Sequence, residues 1–203
     1  MVAAGGPAAR RPRIGVLALQ GDFALHARAL ERCGAEVAEV RQPGQLEGLD
    51  GLVIPGGEST TLLKLMEDYA FVPALEKFHG QGRPIFGTCA GLILVARDVE
   101  RPRQFSLGFI DLTVERNAYG RQRESFEAQG QARLDGSPTP VEMIFIRAPR
   151  IRRVGPGVEV LARHGDEPVL VRQGTVLAGT FHPELTESPA VHAYFCRMVE
   201  QAR

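Results

Sequence analysis

Apolar positions along the chain fall into two kinds of pattern, short continuous runs and runs spaced by three and four. Ile14 to Leu19 is a continuous run broken by Gln20-Gly21-Asp22, as expected for a parallel strand buried on both faces. Phe23, His26, Ala27 and Leu30 then recur at helical spacing until Cys33-Gly34, a helix closed by glycine. Glu36 to Val40 and Gly51 to Ile54 read as strands. Pro55-Gly56-Gly57 turns the chain, and Glu58-Ser59-Thr60-Thr61 opens a helix carried by Leu62, Leu63, Leu65 and Met66. A further helix around Val72 to Phe78 precedes the apolar run Pro84-Ile85-Phe86, and a helical run Leu92 to Ala96 follows it. Such alternation predicts an open α/β sheet wound by right-handed crossovers.

The second half is richer in strands: Phe109 to Val114, Val141 to Ile146, Val158 to Ala162, Pro168 to Arg172 and Val176 to Thr180, with a last helix from about Ala190 to Gln201. No repeat, linker or shift of composition divides the chain. The expected organisation is a disordered Ala/Gly/Pro/Arg-rich tail over residues 1–12 and one domain over 13–203. Functional loops in open α/β sheets leave the carboxyl ends of strands, which here means the loops after Leu19, Ile54, Phe86 and Thr180.

Composition narrows the function. With 24 basic and 24 acidic residues the formal net charge is +0, so no global field draws in nucleic acid or an acidic membrane. Arginines crowd residues 97–123 and 147–153, leaving room only for a local basic patch. No apolar run approaches a membrane span. Three cysteines, Cys33, Cys89 and Cys196, form no Cys-x-x-Cys pair. That count argues against a disulfide framework or zinc ribbon and suits a reducing, cytoplasmic setting. Cys33 and Cys196 read as packing residues.

Gly87-Thr88-Cys89-Ala90-Gly91 lies between a strand and a helix, the cysteine form of a nucleophile elbow. A turn that sharp needs small neighbours because main chain packs close by, and the following helix terminus favours a thiolate. Alone, Cys89 reads equally well as a buried structural thiol. Far downstream, Phe181-His182-Pro183-Glu184 supplies a base and an orienting carboxylate, with His182 and Glu184 expected to share a face of extended chain. Metal binding by that pair lacks an obvious third ligand. The Gly56-Gly57 backbone offers N–H groups for an oxyanion hole. The absence of Gly-Lys-Ser/Thr argues against a nucleotide-binding P-loop. Val114 to Gln122 and Ile146-Arg147-Ala148-Pro149 are polar clusters beside strands, where an arginine can grip a carboxylate. His26, His79, His164 and His192 read as structural or surface residues.

Together these segments resemble the glutaminase subunits of pyridoxal 5′-phosphate synthase, within the class I (triad) glutamine amidotransferases. The likeness runs from about Ile14 to the last helix and is carried most specifically by Leu17 to Gly21, Pro55 to Thr61, Gly87 to Gly91, Val114 to Gln122, Ile146 to Pro149 and Phe181 to Leu185. It implies a flavodoxin-like three-layer α/β/α sandwich with a mostly parallel central sheet. It also implies hydrolysis of L-glutamine to glutamate and ammonia through Cys89, His182 and Glu184 by way of a γ-glutamyl thioester. Substrate would be held near Gly56, Gly57, Glu58, Ser59, Arg116, Ile146 and Arg147. Ammonia would pass to a barrel-shaped synthase subunit whose docking activates the glutaminase, with Gln20, Gly21 and His26 near that partner. Pyridoxal phosphate would be a product of the complex, so no cofactor and no metal are implied for this chain. The rival readings are a glutaminase feeding another synthase, such as imidazole glycerol phosphate synthase, and a non-catalytic or redox cysteine module on the same fold.

Overall fold

The computed structural model describes residues 10–116 and 125–203. Its strands are β1 (Arg13–Leu17), β2 (Glu36–Val40), β3 (Gly51–Ile54), β4 (Ile85–Thr88), β5 (Ala96–Glu100), β6 (Ile110–Glu115), β7 (Ser125–Leu134), β8 (Ser137–Ile146), β9 (Arg150–Val154), β10 (Glu159–His164), β11 (Glu167–Gln173) and β12 (Val176–Gly179). The helices are α1 (Phe23–Arg32), α2 (Ser59–Asp68), α3 (Phe71–Gly80), α4 (Ala90–Val95) and α5 (Ala190–Gln201). A nine-stranded sheet runs β2-β1-β3-β4-β12-β11-β10-β7-β8. Its first five strands pair in parallel, in the order of a flavodoxin-like sheet, and the rest extend it by antiparallel pairing.

The pleat of the parallel strands explains the layers, because alternate side chains point to opposite faces. Leu52, Ile54 and Ile85 pack with Leu62 and Met66 of α2 and with Phe71, Leu75 and Phe78 of α3. Val53, Phe86 and Leu177 face the other way, onto Leu30 of α1 and Phe195 and Val199 of α5. A small sheet, β5-β6-β9, adds Val99, Leu112, Val114 and Ile151 to the first layer.

Four features differ from the sequence reading. The apolar run after the elbow stays helical only to Val95, and from Ala96 the chain is extended as β5 beside β6. The paired hairpin strand β7 and the strand β9 are additional to those read from the sequence. Residues 10–12, expected within a disordered tail, are tied down. The Arg10 guanidinium donates to both carboxylate oxygens of buried Asp50 at 2.8 Å, and the Pro12 carbonyl accepts from Glu36 N–H. Residues 1–9 lie outside the described part.

Nor do the arginines of the small sheet make an unbalanced basic patch there. Arg97 and Arg153 sit 2.9 and 2.8 Å from Asp111, and Arg101 and Arg152 both pair with Glu115. No helix among the described residues is long and apolar enough to cross a membrane.

Candidate active site

Strands β1, β3, β4 and β12 lie side by side in parallel, so the four loops after them open at one edge of the sheet. Cys89 follows β4, at the start of α4, with φ 49° and ψ −101°, a strained conformation for a residue with a side chain. Its N–H donates to the Gly179 carbonyl at 2.8 Å, and its own carbonyl accepts from Ile93 N–H at 3.2 Å. Flanking glycines let main chain approach: a Cβ at Gly91 would stand 2.0 Å from the Ile54 carbonyl oxygen, and one at Gly87 would stand 2.6 Å from Gly91. Backbone crowding therefore demands the small residues of the elbow.

His182 follows β12, and its N–H is anchored on the Ile144 carbonyl at 2.8 Å. The segment is not extended beyond it. Pro183–Leu185 forms a 3-10 turn, because proline is well placed at the start of a helical turn. That turn, rather than a shared strand face, returns the Glu184 carboxylate to His182, with Oε1 2.7 Å from Nδ1. Both residues are buried. Burial pushes the His182 imidazole down. Hydrogen bonding and Coulombic attraction from Cys89 and Glu184 outweigh burial and lift it to about 10. The carboxylate beside Nδ1 thus favours the charged imidazole.

A cavity of about 310 Å³ opens beside the sulfur, lined by Asp22, Gly57, Glu58, Ser59, Cys89, Ile93, Arg116, Ile146, Arg147 and His182. The Cys89 sulfur is 3.9 Å from the Ile146 carbonyl oxygen, and Arg147 turns the chain with φ 43°. Gly56 runs under Cys89 and His182: a Cβ there would meet His182 Cε1 at 2.5 Å and Cys89 Cβ at 3.3 Å. Arg116 donates to Thr60 Oγ1 at 2.8 Å and lies 3.7 Å from Glu58. Burial raises the Glu58 carboxyl, but the N–H groups of Thr61 and Thr60 and their hydroxyls outweigh it and hold it below the usual range. It caps α2 in that role. An anionic carboxylate and two guanidinium groups thus face one small cavity, a fit for a zwitterionic amino acid.

Gln20 and Gly21 stand at the same edge. The Gln20 side-chain oxygen accepts from Glu58 N–H at 3.1 Å, and a Cβ at Gly21 would be 1.8 Å from the Gly56 carbonyl oxygen. Both therefore brace the glycine loop. His26, expected at a partner surface, is instead fully buried beneath the site between Thr88 and His192. Asp22 and Ile93 are lining residues the sequence did not reveal. Asp22 brings a donor atom within 4.8 Å of donors from His182 and Glu184. This is the third ligand the sequence lacked, but an ion there would compete with the bond already joining His182 to Glu184. The part of the Val114 to Gln122 cluster after Arg116 lies outside the described residues.

The family model described as SNO glutamine amidotransferase matches residues 16–201. A protein named pyridoxal 5′-phosphate synthase subunit PdxT from Koribacter versatilis (strain Ellin345) is 57% identical, over 92% of this chain and 95% of its own. One of the same name from Desulforudis audaxviator (strain MP104C) is 50% identical, over 93% of this chain and 99% of its own. A crystal structure described as a glutamine amidotransferase superposes with a TM-score of 0.86 at 52% identity, covering 92% of this chain and 98% of its own.

Proposed function

The chain belongs to the SNO glutamine amidotransferase family, and we propose that Cys89, His182 and Glu184 are the triad with which it releases ammonia from glutamine. The observation that carries this is the elbow: a cysteine held at φ 49°, lining one cavity with a histidine that a buried carboxylate orients. The sulfur attacks the side-chain amide carbon of glutamine. His182 gives its proton to the departing amine and then takes one from the water that cleaves the γ-glutamyl thioester. Backbone N–H groups of the Gly56-Gly57 loop face the developing oxyanion. Arg116 and Arg147 hold the substrate carboxylate, and Glu58, with Ser59 and Ile146 beside it, meets the ammonium end.

The relatives named pyridoxal 5′-phosphate synthase subunit PdxT carry the assignment further. The chain is the glutaminase subunit of that synthase, supplying ammonia to the subunit that builds pyridoxal phosphate, in preference to another synthase. Gln20 and Gly21, which brace the glycine loop at the mouth of the site, are placed to pass a docking event to it. The three free cysteines accord with a cytoplasmic setting.

A glutamine-mimicking chloroketone tests the triad. It is expected to modify Cys89 alone, with glutamine protecting. Arg116→Ala is expected to raise the protecting glutamine concentration about 10- to 100-fold, the loss of a charge-assisted bond. Cys33 is the internal control, a free, half-buried thiol that a non-selective reagent would find. Peptide mapping that placed the label on Cys33, or labelling indifferent to glutamine, would contradict the assignment.

A further inference from the structure

We propose that His26 is a positioning residue for Glu184, presenting an N–H to the carboxylate oxygen that His182 does not use, with His192 fixing the tautomer that puts the proton there. The inference rests on the triad assigned above. Glu184 Oε1 is bonded to His182, but Oε2 is buried without a hydrogen bond, and His26 Nε2 stands 3.3 Å from it. The same Nε2 is hydrogen-bonded to Thr88 Oγ1 at 3.0 Å, on the residue before the nucleophile, so its N–H lies between that hydroxyl and the carboxylate, and His26 Nδ1 is 2.9 Å from His192 Nε2. Neither ring is exposed to solvent. The line of side chains therefore runs Cys89, His182, Glu184, His26, His192, from the cavity to the core under α5.

Two considerations choose the proton positions. A bare Nε2 would turn a lone pair toward a buried carboxylate, whereas Nε2–H turns a positive dipole toward it. If Nε2 carries the hydrogen, Nδ1 accepts, and His192 donates from its Nε2. His192 Nδ1, which has no partner, is then an empty acceptor rather than an orphaned buried donor, the rarer and costlier case. The opposite tautomers would strand a donor at that point. Both rings are neutral. Burial first, then the neighbouring His192 and His182, push His26 well down. Burial first, then Arg32, pushes His192 to about 4. The groups facing His26 are thus Thr88 from β4, Glu184 from the turn after β12 and His192 from α5, with His182 behind Glu184.

Without this N–H the carboxylate either swings away from His182 or takes up a proton. In both cases His182 loses part of what raises it. The test is ammonia release by the complex with the synthase subunit, measured across pH for wild type, Cys89→Ala, His26→Leu, His26→Gln and His192→Leu. Cys89→Ala probes the triad itself, and wild-type activity in that variant would end the triad reading whatever His26 does. With the triad standing, His26→Leu is expected to lower kcat about 10- to 100-fold, to leave KM within about twofold, and to move the alkaline limb to lower pH. His26→Gln, whose amide N–H reaches the place of Nε2, is expected to recover most of the rate and the limb. If His26→Leu does not fold, His192→Leu carries the test through the same downward limb shift. Rates that track only the folded fraction in circular dichroism, with the limb unmoved and no rescue by glutamine at position 26, overturn the inference.

Discussion

Gly56→Ala is expected to lower glutaminase activity by about 10²–10³-fold, while the far-ultraviolet circular dichroism spectrum stays unchanged. The added methyl would sit 2.5 Å from His182 Cε1, 3.1 Å from His182 Nδ1 and 3.3 Å from Cys89 Cβ. His182 cannot yield freely, since Glu184 holds its ring at 2.7 Å and Ile144 holds its backbone at 2.8 Å. Either the imidazole leaves its line with the sulfur or the glycine loop lifts away. The first costs about 10²-fold for a displacement of an ångström, and the second removes an oxyanion donor worth about 10²–10³-fold. Because Gly56 lies in a loop after β3, away from both packed layers, the damage is confined to chemistry. Steady-state ammonia release beside the spectrum checks this. A variant with near-native kcat would show that the loop does not lie against the reacting groups.

Glu184→Gln is expected to lower kcat by about 10³–10⁴-fold, the scale on which loss of an orienting carboxylate acts in such triads. It is also expected to move the alkaline limb of kcat/KM to lower pH. The sign follows from His182. Burial alone would push it down, and the bonds and charges of Cys89 and Glu184 lift it to about 10. A group raised on folding contributes stability that is fully present below its unfolded value of 6.5 and is lost as pH rises through its folded value. Activity needing the imidazolium to protonate the departing amine falls through the same value, near pH 10. Glutamine at position 184 keeps the shape but removes a charge, so both transitions move downward. A pH–rate profile together with alkaline unfolding measures them, and limbs coinciding with wild type would remove Glu184 from the triad.

The parallel half of the sheet was legible because strands buried on both faces are continuous apolar runs, and Ile14–Leu17, Gly51–Ile54 and Ile85–Phe86 are such runs ended by glycine or polar turns. The elbow was legible for a related reason, since only glycine tolerates the 2.0 Å and 2.6 Å approaches of neighbouring backbone at Gly91 and Gly87. Strand β7 was harder to read because its weakly apolar alternation, Phe126, Ala128, Ala132 and Leu134, is half exposed. The usable signal was Asp135-Gly136, both at positive φ between β7 and β8, the dipeptide of a tight hairpin. The end of α4 gave no signal, since an apolar run from Ala90 to Ala96 suits helix or strand equally. His26 is legible as a core position rather than a docking one. It shares its helical stripe with Phe23, Ala27 and Leu30, the stripe that faces the core, which is where a buried network rather than a docking surface belongs. Asp22 had no pattern to reveal it, because its place depends on how the loop after β1 folds against the turn after β12.

Ammonia release from glutamine, measured with and without the pyridoxal phosphate synthase subunit and with Cys89→Ala as control, tests the central claim most directly. The expected result is release that depends on Cys89 and rises when the synthase subunit is added. Release that persists in Cys89→Ala, or no release with the partner present, would contradict it.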